Sequence, residues 1–135
     1  AAVREGVEAD RRLAPATASA AAASPRDVAT AALVEQGRAA FAICAACHQA
    51  DGRGLPALAP PLAGSPRVTG ASDVLIDIVL RGRDEDPAYP SMPPLAGLSD
   101  EQLAGILTYV RQAWGNAAPP IEPQAIRARR AEAAR

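Results

Sequence analysis

The stretch "CAACHQADGRG", residues 44–54, holds both cysteines of the chain and its only histidine. Two thiols and one imidazole within five residues are the densest chemistry in 135 residues. How that cluster is read decides what the rest of the chain is built around.

The surrounding composition sharpens the question. The length suits one domain with extensions. Phe41, Tyr89, Tyr109 and Trp114 are the only aromatic residues. A core made from these residues alone is thin, and small domains usually need a staple. A non-protein component is therefore expected. All fourteen basic residues are arginine, and the formal net charge is −1, which argues against nucleic-acid binding. Arg127, Arg129 and Arg130 are read as a solvated helix face. No run of about 20 apolar residues spans a membrane. Residues 13–23 are alanine-rich but broken by Pro15, Thr17 and Ser19, so they do not read as a signal-peptide core.

Three regions are expected. Residues 1–23 form an alanine-rich arm, short of large apolar side chains and either flexible or laid on a partner. Residues 24–115 form the domain, and residues 116–135 a tail with room for a short helix after Pro123. Ser24, Pro25 and Asp27 open the first helix. Leu33, Gly37, Ala40, Phe41 and Cys44 follow at helical spacing, which puts Cys44 near a helix end and His48 just past it. Glycine and proline make 49–71 an ordered loop. Residues 72–82, "SDVLIDIVLRG", fit strand or helix by periodicity; helix is preferred because no segment offers a partner strand. Residues 83–98 are loop again. The clearest helix begins at a Ser99/Gln102 capping box, with Leu98 placed to staple onto Leu103. Leu103, Ile106, Leu107, Val110 and Trp114 form its apolar stripe, and Gly115 stops it.

Four readings of the cluster compete. Zinc needs about four ligands and finds three crowded together. A thioredoxin-like pair needs a βαβ context that is absent here. Inert buried cysteines with an incidental histidine make the bland alternative. In the fourth, C-x-x-C-H carries haem: both thiols add across the vinyl groups, and the histidine reaches the iron. That reading uses every unusual residue and supplies the missing apolar bulk. It also asks for a second axial ligand. With no other histidine and no lysine, Met92 in "YPSMPP" is the candidate, in a loop stiffened by proline, although a lone methionine is often core filler.

With "GRAAFAICAACH", "APPLAG", "MPP" and "LSDEQLAGILTYVRQAWG" in this order, residues 30–115 resemble a class I mono-haem c-type cytochrome. The resemblance implies an all-α fold, with three main helices wrapped round one covalent haem c and long Gly/Pro loops. It implies Cys44 and Cys47 as attachment points and His48 and Met92 as axial ligands of the iron. It implies a Pro60 carbonyl accepting from the His48 ring. Gly37 and Phe41 pack against Ile106 and Tyr109 where the first and last helices cross, with Phe41 counted among the haem-binding residues. Trp114 falls near the haem or near the tail, and the sequence does not choose between them. Unlike mitochondrial-type members, the chain has no lysine ring.

The implied task is one-electron transfer rather than catalysis, since both axial positions are filled. The apolar segment 55–61 is either a docking surface at the exposed haem edge or a rigid cover. "RDEDP", 83–87, is the densest acidic spot. The loop pattern is similar to cytochrome subunits or domains of bacterial periplasmic dehydrogenases. The partners so implied are a dehydrogenase subunit as donor and a downstream cytochrome or oxidase as acceptor. Covalent attachment implies export to the periplasm, with the signal removed or outside this chain. A free diffusible carrier is one alternative; a ligand-binding or catalytic haem protein with a labile sixth ligand is another.

Overall fold

A computed structural model describes residues 24–83 and 87–134. The arm 1–23 and the acidic residues 84–86 lie outside the described residues. Among those described there are six helices and no strand: α1 (Pro25–Ala40), α2 (Ala42–His48), α3 (Pro66–Thr69), α4 (Ser72–Arg81), α5 (Asp100–Gln112) and α6 (Pro123–Ala133). The all-α expectation holds, and the ambiguous segment 72–82 is helical.

Both expected start signals operate. The Ser24 side chain accepts from the Asp27 N–H at 3.1 Å while Asp27 accepts from the Ser24 N–H. Ser99 and Gln102 make the same reciprocal pair at the head of α5. Each satisfies two backbone donors that the helix cannot reach itself. Helix α5 ends at Gln112, three residues before the expected stop at Gly115, and the chain then turns through left-handed Trp114 and Gly115.

The apolar stripe of α5 faces inward, with Leu103, Ile106, Leu107 and Val110 all buried. Helix α1 crosses it at two glycines. A Cβ at Gly37 would overlap the Gly105 carbonyl oxygen, so the two backbones touch directly. Only a residue without a side chain permits that approach. Next to the crossing, Phe41 stacks 5.3 Å from Tyr109 and 5.2 Å from Trp114. Three of the four aromatic residues thus form one cluster at the α1–α5 end. The Trp114 indole donates to the Ala50 carbonyl at 3.1 Å, which ties the loop after His48 to the end of α5.

The first helix does not run through to Cys44. It breaks at Phe41, and α2 leaves at 59° to α1. The Phe41 carbonyl accepts from both the Cys44 and Ala45 N–H groups, at 2.8 and 2.9 Å. That tightened turn redirects the chain while Phe41 stays anchored. Cys44 therefore sits inside a separate short helix, and His48 is its last residue rather than the first residue beyond it. The loop 49–71 also contains a turn of helix, α3, that was not expected.

Residues 116–135 do form a helix after Pro123, and it packs against α4 and α5. Ile121 and Ile126 are 2% and 0% exposed and share one apolar cluster with Leu75, Val79 and Leu107. Polar stitches hold the segment leading to it. Thr108 Oγ1 both donates to the Ile121 carbonyl and accepts from its N–H, each at 3.0 Å. Asn116 binds the Leu62 and Val110 carbonyls and the Gly64 N–H. Arg111, 4% exposed, donates to the carbonyls of Val68, Gly70 and Pro119. Its burial lowers the guanidinium pKa, yet three carbonyls supply the partners a buried cation needs.

The arginines of α6 correct the expectation of a solvated face. Arg127 is exposed, but Arg129 grips Asp77 on α4 with two bonds, at 2.9 and 2.6 Å, and Arg130 binds Asp100 at 2.7 Å. The hydrogen bonds from Arg129, with its charge, hold the Asp77 carboxyl below its usual range.

Two outcomes follow from this packing. Gly37→Ala should lower unfolding free energy by about 2 kcal/mol or more, through overlap that neither backbone can relieve; denaturant titration measures it. Asp77 has a folded-state pKa depressed below its ordinary value of 3.8, so its contribution is present above that value and is lost as pH falls through the lower folded value. Asp77→Asn should therefore be less stable than the parent at pH 7. Unfolding curves of the two should draw together on acidification through that window.

Candidate functional site

Helix α2, the loops on either side of α3, the inner face of α4 and α5 enclose a cavity of about 230 Å³. Leu75, Ile78 and Val79 of α4 and Leu103, Ile106 and Leu107 of α5 form its apolar walls. Among the described residues, Arg67 and Arg83 are the only arginines or carboxylates in the lining. Ile43 and Leu58 line the cavity and remain exposed, at 55% and 38%, so they mark its mouth.

Both cysteines of the chain, its one histidine and its one methionine all line this cavity. Cys44, Cys47 and His48 arrive together on α2, where spacings of three and four residues share a helix face. Met92 arrives from a loop between α4 and α5. Its backbone is clamped on both sides: the Arg83 N–H donates to the Met92 carbonyl at 2.9 Å, and the Met92 N–H donates to the Arg83 carbonyl at 2.6 Å. Gly82 permits this close pairing. It has φ +77°, and any Cβ there would strike the Met92 carbonyl.

The orientation of His48 is set by one contact. Its Nδ1 lies 2.8 Å from the Pro60 carbonyl oxygen. A carbonyl can only accept, so Nδ1 carries the proton and Nε2 keeps its lone pair for a metal. His48 is 8% exposed, and its backbone carbonyl accepts from the Gly54 N–H at 2.9 Å.

The thiols are unlike those of a redox pair. Cys44 and Cys47 are free of one another as a disulfide. Burial first, and the neighbouring Cys47 second, push the Cys44 thiol up to about 11; a redox-active CxxC lowers its nucleophile instead. Among the described residues no three His, Cys, Asp or Glu side chains converge to hold a lone metal ion. The donor set instead suits a flat apolar group that fills the cavity and brings its own iron. The cavity offers two thiols, one imidazole whose Nδ1 faces a carbonyl, and one thioether on a clamped backbone. The residues present fit haem c.

Of the six site residues expected from the sequence, five surround the cavity: Cys44, Cys47, His48, Pro60 and Met92. Phe41 is not among the lining residues; it packs on Tyr109 and Trp114 behind the start of α2. Trp114 likewise belongs to that aromatic cluster. The α4 wall was not anticipated, although Leu75 with Ile78 and Val79 shows the helical spacing once the segment's type is known. Thr108, Arg111 and Asn116, which pin the loops and the C-terminal segment around the cavity, gave no signal of that role.

Comparison with known proteins agrees with this geometry. A family model described as cytochrome c matches residues 34–114, well over half of the chain. The chain is 37% identical over 83 residues to the cytochrome c subunit of the quinone alcohol dehydrogenase of Gluconobacter oxydans, a match covering 56% of this chain and 17% of that subunit. It is 40% identical over 83 residues to the gluconate 2-dehydrogenase cytochrome c subunit of Pantoea cypripedii, covering 56% and 19%. Cytochrome c-552 of Thermus thermophilus is 34% identical over 87 residues, covering 57% and 66%. The match thus spans less than a fifth of each dehydrogenase subunit and about two-thirds of the small cytochrome. No single helix among the described residues is long and apolar enough to cross a membrane. The chain belongs to the cytochrome c family, whose members carry covalently bound haem c and move electrons rather than catalyse a reaction.

Proposed function

We propose that Cys44 and Cys47 bear the haem as thioethers, that His48 Nε2 and the Met92 sulfur are the axial ligands, and that the chain relays single electrons from a dehydrogenase. The observation that carries this reading is the meeting of the chain's only two cysteines, only histidine and only methionine in one apolar cavity. In thioether formation each S–H adds across one vinyl double bond: sulfur joins one carbon and hydrogen the other, with no oxidant required. The chemistry that the group supplies when bound is a reversible one-electron iron couple.

The chain's own residues determine how that couple behaves. The Pro60 carbonyl keeps Nδ1 protonated and strengthens Nε2 as a ligand. The apolar α4 and α5 walls would keep water from a bound haem and disfavour the positive charge added on oxidation, which would raise the potential. The Arg83–Met92 backbone pair holds the thioether side still, so little rearranges with each electron. Ile43 and Leu58 form a small exposed apolar rim at the mouth, suited to brief docking at the low end of interface sizes. The same segment, 55–61, also covers the cavity through Leu58, Ala59 and Pro60.

The likeness to cytochrome subunits of alcohol and gluconate dehydrogenases supports such an enzyme as donor and a further cytochrome or oxidase as acceptor. Attachment of haem to C-x-x-C-H supports the periplasm as the compartment. The likeness to cytochrome c-552, which the chain covers more fully, keeps a freely diffusing carrier as the second reading.

Met92→Ala should retain covalent haem, lower the midpoint potential and let carbon monoxide bind the reduced protein at neutral pH; redox titration and the carbon monoxide difference spectrum read this. Unchanged potential and no binding would remove Met92 from the iron. Ready carbon monoxide binding by the parent would support a ligand-binding haem protein instead. Mild purification from the native source should co-isolate a dehydrogenase. Recovery as a lone species that accepts electrons from several donors would favour the carrier.

A further inference from the structure

Helix α6 lies beyond the part of the chain matched by the family model, yet one of its side chains reaches toward the methionine loop. Arg130 donates through Nε to Asp100 at 2.7 Å, through Nη1 to the Ala96 carbonyl at 2.8 Å, and through Nη2 to the Leu98 carbonyl. Ala96 and Leu98 belong to the strap 92–99 that runs from Met92 to the cap of α5. The strap packs Leu95 and Leu98 on the core and is turned by the Leu98 N–H donating to the Leu95 carbonyl at 3.1 Å. Pro93 and Pro94 have no N–H to donate. Toward Met92 it is held by the Arg83 pairing, and in the middle by the Leu95 N–H donating to the Val79 carbonyl at 2.7 Å. The guanidinium of Arg130 grips the far end.

The helix that carries Arg130 is itself anchored. Ile126, one turn earlier, is fully buried, and the adjacent Arg129 holds Asp77 on α4 by two bonds. Helix α6 is thus a brace between α4 and the strap. Both elements also contribute to the cavity wall, through Val79 and through Met92 and Leu95. A guanidinium suits the task because its planar fork presents five donors at fixed angles, so one side chain spans three acceptors.

We propose that Arg130 is a positioning residue for Met92: by clamping the carbonyls of Ala96 and Leu98 to α6, it sets how often the thioether leaves its place. The inference rests on Met92 being the iron's sixth ligand. A ligand that binds only the open form gains apparent affinity in proportion to the open fraction.

The test uses the full-length, haem-loaded ferric protein, with imidazole as the probe. Imidazole coordinates only where Met92 has moved away, and its binding is read from the Soret shift. Arg130→Ala should raise the apparent affinity about tenfold. Arg130→Lys keeps the charge but not the planar fork; it should move the affinity in the same direction by less, and it serves if the alanine variant does not fold. Arg127→Ala removes an exposed cation of the same helix that lies 3.6 Å from the Asp100 carboxylate but touches neither strap carbonyl, and should leave the affinity unchanged. Ser24→Ala removes the cap of α1; it lowers overall stability without touching α6 or the strap, and should leave the affinity within about twofold of the parent. Unchanged affinity in both Arg130 variants would overturn the proposal, as would an equal rise in Ser24→Ala, which would mean general loosening. Met92→Ala separates the two readings. If it binds imidazole tightly while the Arg130 variants behave as the parent, the axial assignment stands and the brace falls. If it binds no better than the parent, the axial assignment itself falls.

Discussion

The direct contact between Gly37 and Gly105 orients everything else. Two helices whose backbones touch have little freedom in crossing angle or depth. With that crossing set, Phe41 meets Tyr109 and Trp114, the chain breaks at Phe41, and α2 departs toward the cavity carrying both thiols and the imidazole. The same contact presents Leu103, Ile106 and Leu107 of α5 as the opposite wall. A side chain at Gly37 would separate two elements that have to be fixed relative to one another.

Around this crossing the polypeptide supplies rather little apolar mass. The aromatic cluster lies at one end, and most buried side chains on α4 and α5 are aliphatic. Several of them, including Leu75, Val79 and Leu107, line the cavity while belonging to the buried cluster. Core and cofactor site are therefore one structure, and the group that fills the cavity completes the packing. Arginine does much of the remaining fastening. Arg111 holds three carbonyls at the inner side of α5, and Arg129 and Arg130 hold α6. A chain without lysine uses the one cation whose donors are already arranged as a fork.

Much of this was legible in the sequence because local rules and tertiary demands agree. The Ser24 and Ser99 caps, the α5 stripe and the C-x-x-C-H spacing each rest on neighbours along the chain. Even the Pro60 contact was expected, through likeness to cytochromes rather than through spacing. The misses share a cause: they depend on partners far away in sequence. The trio Ser-Pro-Arg opens α1 at 24–26 and opens α3 at 65–67, but between two proline-rich stretches the second occurrence read as punctuation. Phe41 packs on Tyr109 as the likeness to cytochromes implied, but the turn at its carbonyl redirects the chain and leaves it outside the cavity lining. The α6 arginines read as solvated because Asp77, Ala96 and Leu98 lie more than 30 residues away. Asn116, next to a glycine stop, read as loop, although all three of its side-chain bonds are to backbone.

The Gly37–Gly105 contact has a consequence for how the chain matures. It joins positions 68 residues apart, so the entropy of closing that loop is lost before the contact returns anything. Until α5 arrives, α1 has no partner and α2 has no opposite wall. In that interval Cys44, half-covered in the finished fold, has no wall opposite it. Closing the crossing and shaping the cavity are therefore one event, because the α5 side of that cavity does not exist until the two glycines meet.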